Sequence, residues 1–374
     1  MFPALFVGKW ARKSASTIIS ATTYIVFLIF DFLDMIFCII YGCLDELFEG
    51  KPSHCYCGDR GEIQGRVWDD GDNELSETLY GRNNVFRQMR FLGFGRNWEN
   101  RKKSFGGGSG KRIWSDCGCE SCVSWMKDGG QNLHVVVKEP SAIRDHLEMI
   151  EKSVINPFEL KSFHIVAHSM GCIISLALAA KYSNCVKSIT LVAPPYFSSL
   201  KEEASFTALQ KLAGKRLWSP LLFCSSFMSW YEHLGRFVCF LVSQNHRIWE
   251  RILKLLTWRS LLIFFGDLHF IIIDMTRHTH HSAWHSMHNV ICGGAKFLEE
   301  MLENLMKSEV KICVIQGDGD EVVPLECSKN IKSKVSNTEI SIIPNADHIS
   351  VIIGREKDFT RNLAHIWASS ADSE

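Results

Sequence analysis

From residue 133 onward, short apolar runs alternate with stretches in which apolar residues recur every three to four positions. The runs predict five strands, at residues 133–137, 163–167, 187–192, 311–316 and 339–343. The periodic stretches predict helices at 144–155, 171–182 and 358–367, and a largely helical segment at about 197–305. Alternation of this kind favours an α/β domain, residues 133–374, with a mostly parallel sheet covered by helices on both faces.

The first 50 residues follow another pattern. A basic cluster at residues 9–13 precedes an uncharged run at 14–30, and Asp31 and Asp34 then interrupt the apolar stretch. An aspartate at a bilayer centre costs about 2.5–3.5 kcal/mol, so the two aspartates weaken a single long span and leave 14–30 as a short apolar core. This pattern is typical of a signal peptide or signal anchor that places the following domain outside the cell. The alternative is a buried helix of a soluble domain.

Residues 51–132 form a polar, Gly-rich extension that is predicted to be partly disordered. It contains five of the fourteen cysteines, at positions 55, 57, 117, 119 and 122. Their spacing is compatible with disulfides or free thiols in an oxidising compartment, and also with zinc ligation. The second half of a standard zinc ribbon does not follow in the sequence.

The first candidate chemistry lies where the strand at 163–167 meets the helix at 171–182. The sequence Ala-His-Ser-Met-Gly at 167–171 matches the pattern G-x-S-x-G, with alanine in the first position. This pattern forms a sharp strand-to-helix turn that exposes a serine, and small flanking residues let the helix cross close to the strand. We therefore expect Ser169 to be the nucleophile and the backbone N–H of Met170 to be an oxyanion donor.

A serine nucleophile needs a base, and the base needs an orienting carboxylate. In this type of fold, the α/β-hydrolase fold with a helical lid, the acid and then the histidine follow the serine along the chain. Asp318 and Asp320 both follow the strand at 311–316, and Asp320 has the spacing of G-x-x-D-x-x-x-P, so we assign it as the acid. His348 follows the last strand and is assigned as the base.

Four other histidines are interpreted as residues without a role in proton transfer. His168 lies beside the nucleophile and is predicted to line the substrate pocket, because neighbouring side chains on the turn do not reach each other's reactive atoms well. His281, His285 and His288 share one helical face, which is compatible with a metal site. No carboxylate or cysteine joins them at ligand spacing, so a polar stripe on a lid helix is favoured. We expect no metal and no cofactor.

The overall charge of the chain indicates whether nucleic acid is an expected partner. The chain has 374 residues, with 41 basic and 41 acidic side chains. Without a broad positive field, nucleic-acid binding is not expected. The sequence leaves the oligomeric state open.

At these motifs the sequence resembles the BODYGUARD-type α/β-hydrolases of plants. The similarity lies in residues 114–119 with Cys122, 144–150, 163–195 and 317–327. The resemblance implies a lysophospholipase-like or acyl-transferring hydrolase that acts in cuticle formation and is secreted to the cell wall or held at the membrane. It also implies that the cysteine cluster belongs to an N-terminal extension of the family.

The sequence departs from this pattern upstream of the nucleophile. Hydrolases of this type carry a strand ending in His-Gly, whose loop supplies the second oxyanion N–H, and no His-Gly pair occurs in the chain. We expect a block of several tens of residues to be missing at 140–144, through a lost exon or through degeneration of a real hydrolase. Amplifying the transcript across this junction distinguishes the two.

Two functions are compatible with these features. The first is a serine esterase or acyltransferase on lipid esters, poorly active or poorly folded as written, because one lost oxyanion donor costs roughly 10²–10³ in turnover. The second is a hydrolase-like scaffold that binds a lipid or a partner without turnover.

Overall fold

The computed structural model describes residues 3–49, 143–217, 220–245, 286–308 and 310–371, together with 248, 251 and 284. The predicted strand at 133–137, the extension at 51–132 with its five cysteines, and His281 and His285 lie outside the described residues. The domain boundaries at 50 and 132 therefore stay predictions.

Nine α-helices and four strands are described in these ranges. The strands are β1 (Phe163–His168), β2 (Val186–Val192), β3 (Lys311–Gly317) and β4 (Glu339–Ile343). The helices are α1 (Pro3–Glu49), α2 (Ile143–Ile150), α3 (Gly171–Lys181), α4 (Ala204–Ala213), α5 (Pro220–Trp230), α6 (Glu232–Gln244), α7 (Leu298–Lys307), α8 (Leu325–Lys334) and α9 (Glu356–Ala371). Two π-helical segments (Glu151–Ile155 and Ser286–Gly293) and one 3₁₀ turn (Lys201–Glu203) accompany them.

The four strands form one parallel sheet in the order β1-β2-β3-β4. Each begins and ends within one residue of the predicted position. The parallel arrangement is confirmed, and it places the ends of β1, β3 and β4 along one edge of the sheet. In an open parallel sheet, residues that follow the carboxyl ends of the strands meet in one crevice.

The core lies on the central strands and on α3. Ile189 and Leu191 of β2 are fully buried, as is Ala179 of α3. Gly294 marks a close approach, because a Cβ at this position would lie 2.6 Å from Ile173 Cγ2 and 2.9 Å from Ile143 Cδ1. A small residue here lets the lid segment pack directly on α3.

The described part of the segment between β2 and α7 is largely helical, as predicted. Helices α4, α5 and α6 and the second π-helix form this lid. Its buried centre is aromatic and aliphatic and includes Leu209, Ala213, Trp230, Tyr231 and Leu234. The Trp230 indole N–H donates to the Ala213 carbonyl, which ties α5 to α4.

Helix α1 differs from the prediction in one respect. The two aspartates were expected to weaken a single long span and to leave residues 14–30 as a short apolar core, whereas one helix continues through Asp31 and Asp34 to Glu49. The physical reason is that both aspartates are buried against the lid, where they find partners. Within the described residues, Ser16–Leu44 is long and apolar enough to cross a membrane by length and composition alone.

Candidate active site

Ser169 lies in the turn between β1 and α3. Its φ of 54° is in the left-handed region, which few residues other than glycine adopt. The Ser169 N–H donates to the Val192 carbonyl at 2.9 Å, and its carbonyl accepts from the Cys172 N–H at 2.9 Å. The strained turn is therefore held from both sides, and it lies at the carboxyl end of β1.

The residues that flank the turn explain why alanine is accepted at its first position. A Cβ placed on Gly171 would lie 3.9 Å from the Cβ of Ala167, which is an ordinary van der Waals contact. Beneath the turn, the Cys172 thiol donates to the Ala167 and Val192 carbonyls, and burial raises the pKa of that thiol. Cys172 is therefore a structural side chain that joins β1 to β2, not a nucleophile.

His348 follows β4 on a tight loop. Its Nε2 lies 2.9 Å from Ser169 Oγ, and its Nδ1 lies 2.8 Å from Asp320 Oδ2. Asp347 fixes the loop, since its Oδ1 accepts the N–H groups of Ile349 and Ser350 at 3.0 and 2.7 Å. Burial acts to raise the pKa of Asp347, but the hydrogen bonds from Ser350 and Ile349 outweigh it and leave that pKa lowered.

Asp320 is buried and fully committed to hydrogen bonds. Its Oδ1 accepts the N–H groups of Val322 and Val323 at 2.9 and 2.8 Å, which leaves Oδ2 to face His348. Asp318, the competing candidate, is exposed. The structure thus brings Asp320, and not Asp318, together with His348 and Ser169.

Gly317 allows the acid loop and the base loop to touch. A Cβ at Gly317 would lie 2.2 Å from the Ala346 carbonyl oxygen and 2.7 Å from its carbon, distances that no side chain tolerates. The Gly319 N–H then donates to the same carbonyl at 3.0 Å. The contact between Asp320 and His348 depends on this close backbone approach.

Gln316 is a site residue that the sequence reasoning missed. It is fully buried at the end of β3, and its Nε2 donates to Asp320 Oδ2 at 3.1 Å and to the Val323 carbonyl at 3.0 Å. Its Oε1 accepts from the Ser328 hydroxyl at 2.9 Å. A buried strand that ends in glutamine beside the acid was the available signal.

His168 occupies a position that its assignment as a pocket-lining residue did not foresee. Its Nε2–H donates to the His348 carbonyl at 2.8 Å, and the two imidazole rings lie 4.7 Å apart. Burial, and then the neighbouring His348, lower the pKa of His168, so the ring is neutral near pH 7. A substrate-lining role stays a prediction, and the structure adds a contact that holds the base loop.

Met170 directly precedes α3 and packs on the main core. Its N–H lies at the N-terminal end of that helix, where the peptide dipoles favour developing negative charge. Its oxyanion role stays a prediction.

His288, the one residue of the histidine cluster that the structure describes, is not exposed on a lid helix. It is buried in the second π-helix, donates from Nε2 to the Ser229 carbonyl at 2.8 Å and packs on Trp284. This histidine therefore stabilises the lid.

Several known proteins are similar to this chain in sequence. The chain is 44% identical over 427 residues to the probable lysophospholipase BODYGUARD 4 of Arabidopsis thaliana, covering 96% of this chain and 100% of the relative. It belongs to the BODYGUARD family. BODYGUARD 5 of the same plant is 40% identical over 448 residues, covering 98% of this chain and 99% of the relative. The resemblance seen in the sequence is confirmed.

The family model described as the alpha/beta hydrolase fold matches residues 104–220 of this chain. The match begins within residues 51–132, the segment predicted to be a polar, Gly-rich extension. A solved structure, the enol-lactonase from Burkholderia xenovorans, is 16% identical with a TM-score of 0.40, covering 62% of this chain and 75% of that one. The α/β-hydrolase fold is confirmed, and the chain is an enzyme of the hydrolase type.

The alignment to BODYGUARD 4 is longer than this chain. With 427 aligned positions against 374 residues, at least 53 positions of the relative have no counterpart here. This difference agrees in size with the block expected to be missing upstream of the nucleophile. Its location at 140–144 stays a prediction.

Proposed function

We propose that this chain hydrolyses or transfers acyl groups of lipid esters by a Ser-His-Asp mechanism. The observation that carries the proposal is the continuous contact from Ser169 Oγ through the His348 ring to Asp320 Oδ2, at 2.9 and 2.8 Å. These are the distances at which a base can take a proton from a hydroxyl while its other nitrogen is held by a carboxylate.

Each group has one task in this mechanism. His348 Nδ1–H donates to Asp320, so in the neutral ring the lone pair of Nε2 faces Ser169 and accepts its proton. Oγ then bonds to the ester carbonyl carbon, and the carbonyl oxygen becomes an oxyanion that accepts the Met170 N–H. His348 returns the proton to the leaving alcohol as the acyl–oxygen bond breaks, which leaves an acyl-Ser169 ester. Water or a second alcohol then takes the acyl group by the reverse sequence.

Three observations support a lipid ester as substrate. The relatives at 44% and 40% identity are named probable lysophospholipases. A helical lid with an aromatic and aliphatic centre lies between β2 and α7. Helix α1 adds a long apolar surface at the same lid. From the family resemblance we further propose action in cuticle or cutin formation by an enzyme secreted to the cell wall or held at the outer face of the membrane through its N-terminal segment.

A fluorophosphonate probe tests the nucleophile. The wild-type chain is expected to form a stable adduct, and Ser169→Ala is expected to form none. Ser308→Ala, which removes an exposed hydroxyl at the end of α7, is the matched control and should label as wild type. Equal labelling of Ser169→Ala and wild type would refute the proposal.

The rival function is a hydrolase-like scaffold that binds a lipid or a partner without turnover. The sequence observation in its favour is the missing His-Gly pair, since one lost oxyanion donor costs roughly 10²–10³ in turnover. The assembled contact among Ser169, His348 and Asp320 opposes it. If Ser169→Ala restores a loss-of-function plant line as well as wild type does, the scaffold is the better account.

A further inference from the structure

Helix α1 has two faces that differ in what they contact. Successive residues of a helix are offset by about 100°, so positions 27, 30, 34, 37 and 41 lie on one face. Those residues meet the lid. The Tyr231 hydroxyl donates to the Phe27 carbonyl at 3.0 Å, the rings of Phe37 and Phe237 stack at 4.5 Å, and the Arg236 guanidinium lies 4.4 Å from the Tyr41 ring centre.

Asp34 is the strongest of these contacts. It is fully buried, and its Oδ1 accepts the N–H groups of His233 and Leu234, both at 2.9 Å. These N–H groups belong to the first turn of α6, which begins at Glu232. An aspartate that accepts them satisfies donors that no residue of the helix can satisfy, and its charge matches the helix dipole. Here the cap comes from a residue about 200 positions away in the chain.

The opposite face of α1 is apolar and exposed. Its side chains lie roughly 120–180° around the helix from Asp34, by the same 100° rule. They are Ile18, Ile25, Ile29, Phe32, Ile39 and Ile40, with exposed fractions of 65, 55, 51, 44, 60 and 42%. Over residues 18–40 this outer face runs for about 33 Å at 1.5 Å per residue.

The charged residues next to this outer face indicate which kind of surface it contacts. The residues before it include Lys9, Arg12 and Lys13, and no acidic residue occurs before Asp31. A basic cluster beside an apolar helix face is the pattern that binds a bilayer surface rich in anionic lipid, because the cations meet headgroups while the apolar side chains enter the acyl boundary.

The docked lid argues against the spanning orientation. If Ser16–Leu44 crossed the bilayer, α6 would have to enter the hydrocarbon core beside it, together with Glu232 and Arg236. A helix that lies in the plane of the interface needs only one apolar face and leaves the face that carries Asp34 in contact with protein.

We propose that α1 lies in the plane of a lipid surface, with its outer face in the bilayer boundary and its Asp34 face bound to the lid. This rests on the membrane association proposed above and adds an orientation to it. It brings the lid, through which an acyl ester would reach Ser169, directly to the surface where lipid esters lie.

Flotation of the full chain with vesicles tests the outer face. Vesicles of phosphatidylcholine with phosphatidylserine should carry the wild-type chain with them, and Ile25→Glu/Ile29→Glu should lower the partition coefficient at least ten-fold. Phe158→Glu/Leu200→Glu, at exposed apolar side chains away from α1, is the matched control and should stay within two-fold of wild type. Unchanged binding of Ile25→Glu/Ile29→Glu would overturn the proposal.

Depth measurements test the orientation. A fluorescent non-natural amino acid at position 18, 25, 32 or 39 is read out by quenching from lipids brominated at different depths. An in-plane helix gives the same shallow depth at all four positions. A depth that increases toward the middle of the helix means a span and overturns the proposal.

A third measurement separates this proposal from the proposed function. Ile25→Glu/Ile29→Glu should retain the melting temperature of wild type and its hydrolysis of a short, soluble nitrophenyl ester. If the wild-type chain floats and shows shallow depth but cleaves no ester, the orientation stands and the hydrolase proposal fails. If it cleaves the ester but does not float, the reverse holds.

Discussion

Two buried aspartates, Asp320 in the candidate active site and Asp34 in α1, make the same local contact. Each uses Oδ1 to accept two consecutive backbone N–H groups at 2.8–2.9 Å. At Asp320 the donors are two and three residues away in the chain, and at Asp34 they are about 200 residues away. One contact follows from a local motif, and the other exists only after the chain has folded.

This difference explains why the role of Asp320 could be predicted from the sequence and the role of Asp34 could not. A carboxylate at motif spacing after a strand has an evident use, whereas a carboxylate inside an apolar run looks like a defect of a membrane segment. Asp34 shows that the second pattern also arises when an apolar helix docks on a protein surface.

Asp320→Asn should lower kcat by roughly 10⁴-fold, because the amide favours the wrong tautomer of His348. Asp318→Asn, at the exposed neighbour, should stay within about two-fold, since no transition-state contact is lost. Both are measured as kcat on a soluble nitrophenyl ester. A comparable loss in Asp318→Asn would mean that the acid was assigned to the wrong residue.

Gly317→Ala should lower kcat by about 10²-fold and destabilise the fold by roughly 1–3 kcal/mol, because its Cβ would overlap the Ala346 carbonyl and push the base loop away. Urea denaturation and kcat measure the two effects. Gly171→Ala serves as the stability control, since its Cβ would meet only Ala167 at 3.9 Å. If both variants are equally stable, the two loops are not held by this close approach.

Asp34→Ala should lower the free energy of unfolding by roughly 2–3 kcal/mol, because α6 loses its cap and two buried N–H groups lose their acceptor. Asp34→Asn keeps an oxygen acceptor and should lose less than half as much. Thermal unfolding of the full chain measures both variants, with the exposed Asp358→Ala as control. Equal losses in Asp34→Asn and Asp34→Ala would contradict a capping role.

His168→Gln should change the pH dependence of stability more than it changes kcat. The folded pKa of His168 is lowered below 6.5, so the unfolded chain binds the proton first as the pH falls through that value. The wild-type chain should therefore lose stability below about pH 6.5 more steeply than His168→Gln, while the glutamine amide still donates to the His348 carbonyl. Melting temperatures between pH 5 and 8 measure this, and kcat near pH 8 should change less than about three-fold. Identical slopes would contradict the assignment.

The sheet could be predicted from the sequence because each strand has its own apolar run. Four short apolar runs specify β1 to β4 within a residue. The Ser-Met-Gly turn, Asp320 and His348 follow the strand ends that a parallel sheet brings to one edge. Tertiary contacts with little or no local signal in the sequence were missed. They include the His168 bond to the His348 carbonyl, the Gln316 network and the lid face of α1, all of which join residues distant in sequence or buried for reasons that only packing reveals.

The docking of α1 also has a practical consequence for producing this protein. Shortening the chain at residue 50, a usual step when an apolar leader hampers expression, would uncover Phe223, Tyr231 and Leu234 and remove the acceptor at the start of α6. A newly exposed aromatic patch of this kind promotes aggregation. Recombinant protein should therefore retain α1 and be purified with a mild detergent or a lipid disc that covers the outer face of α1.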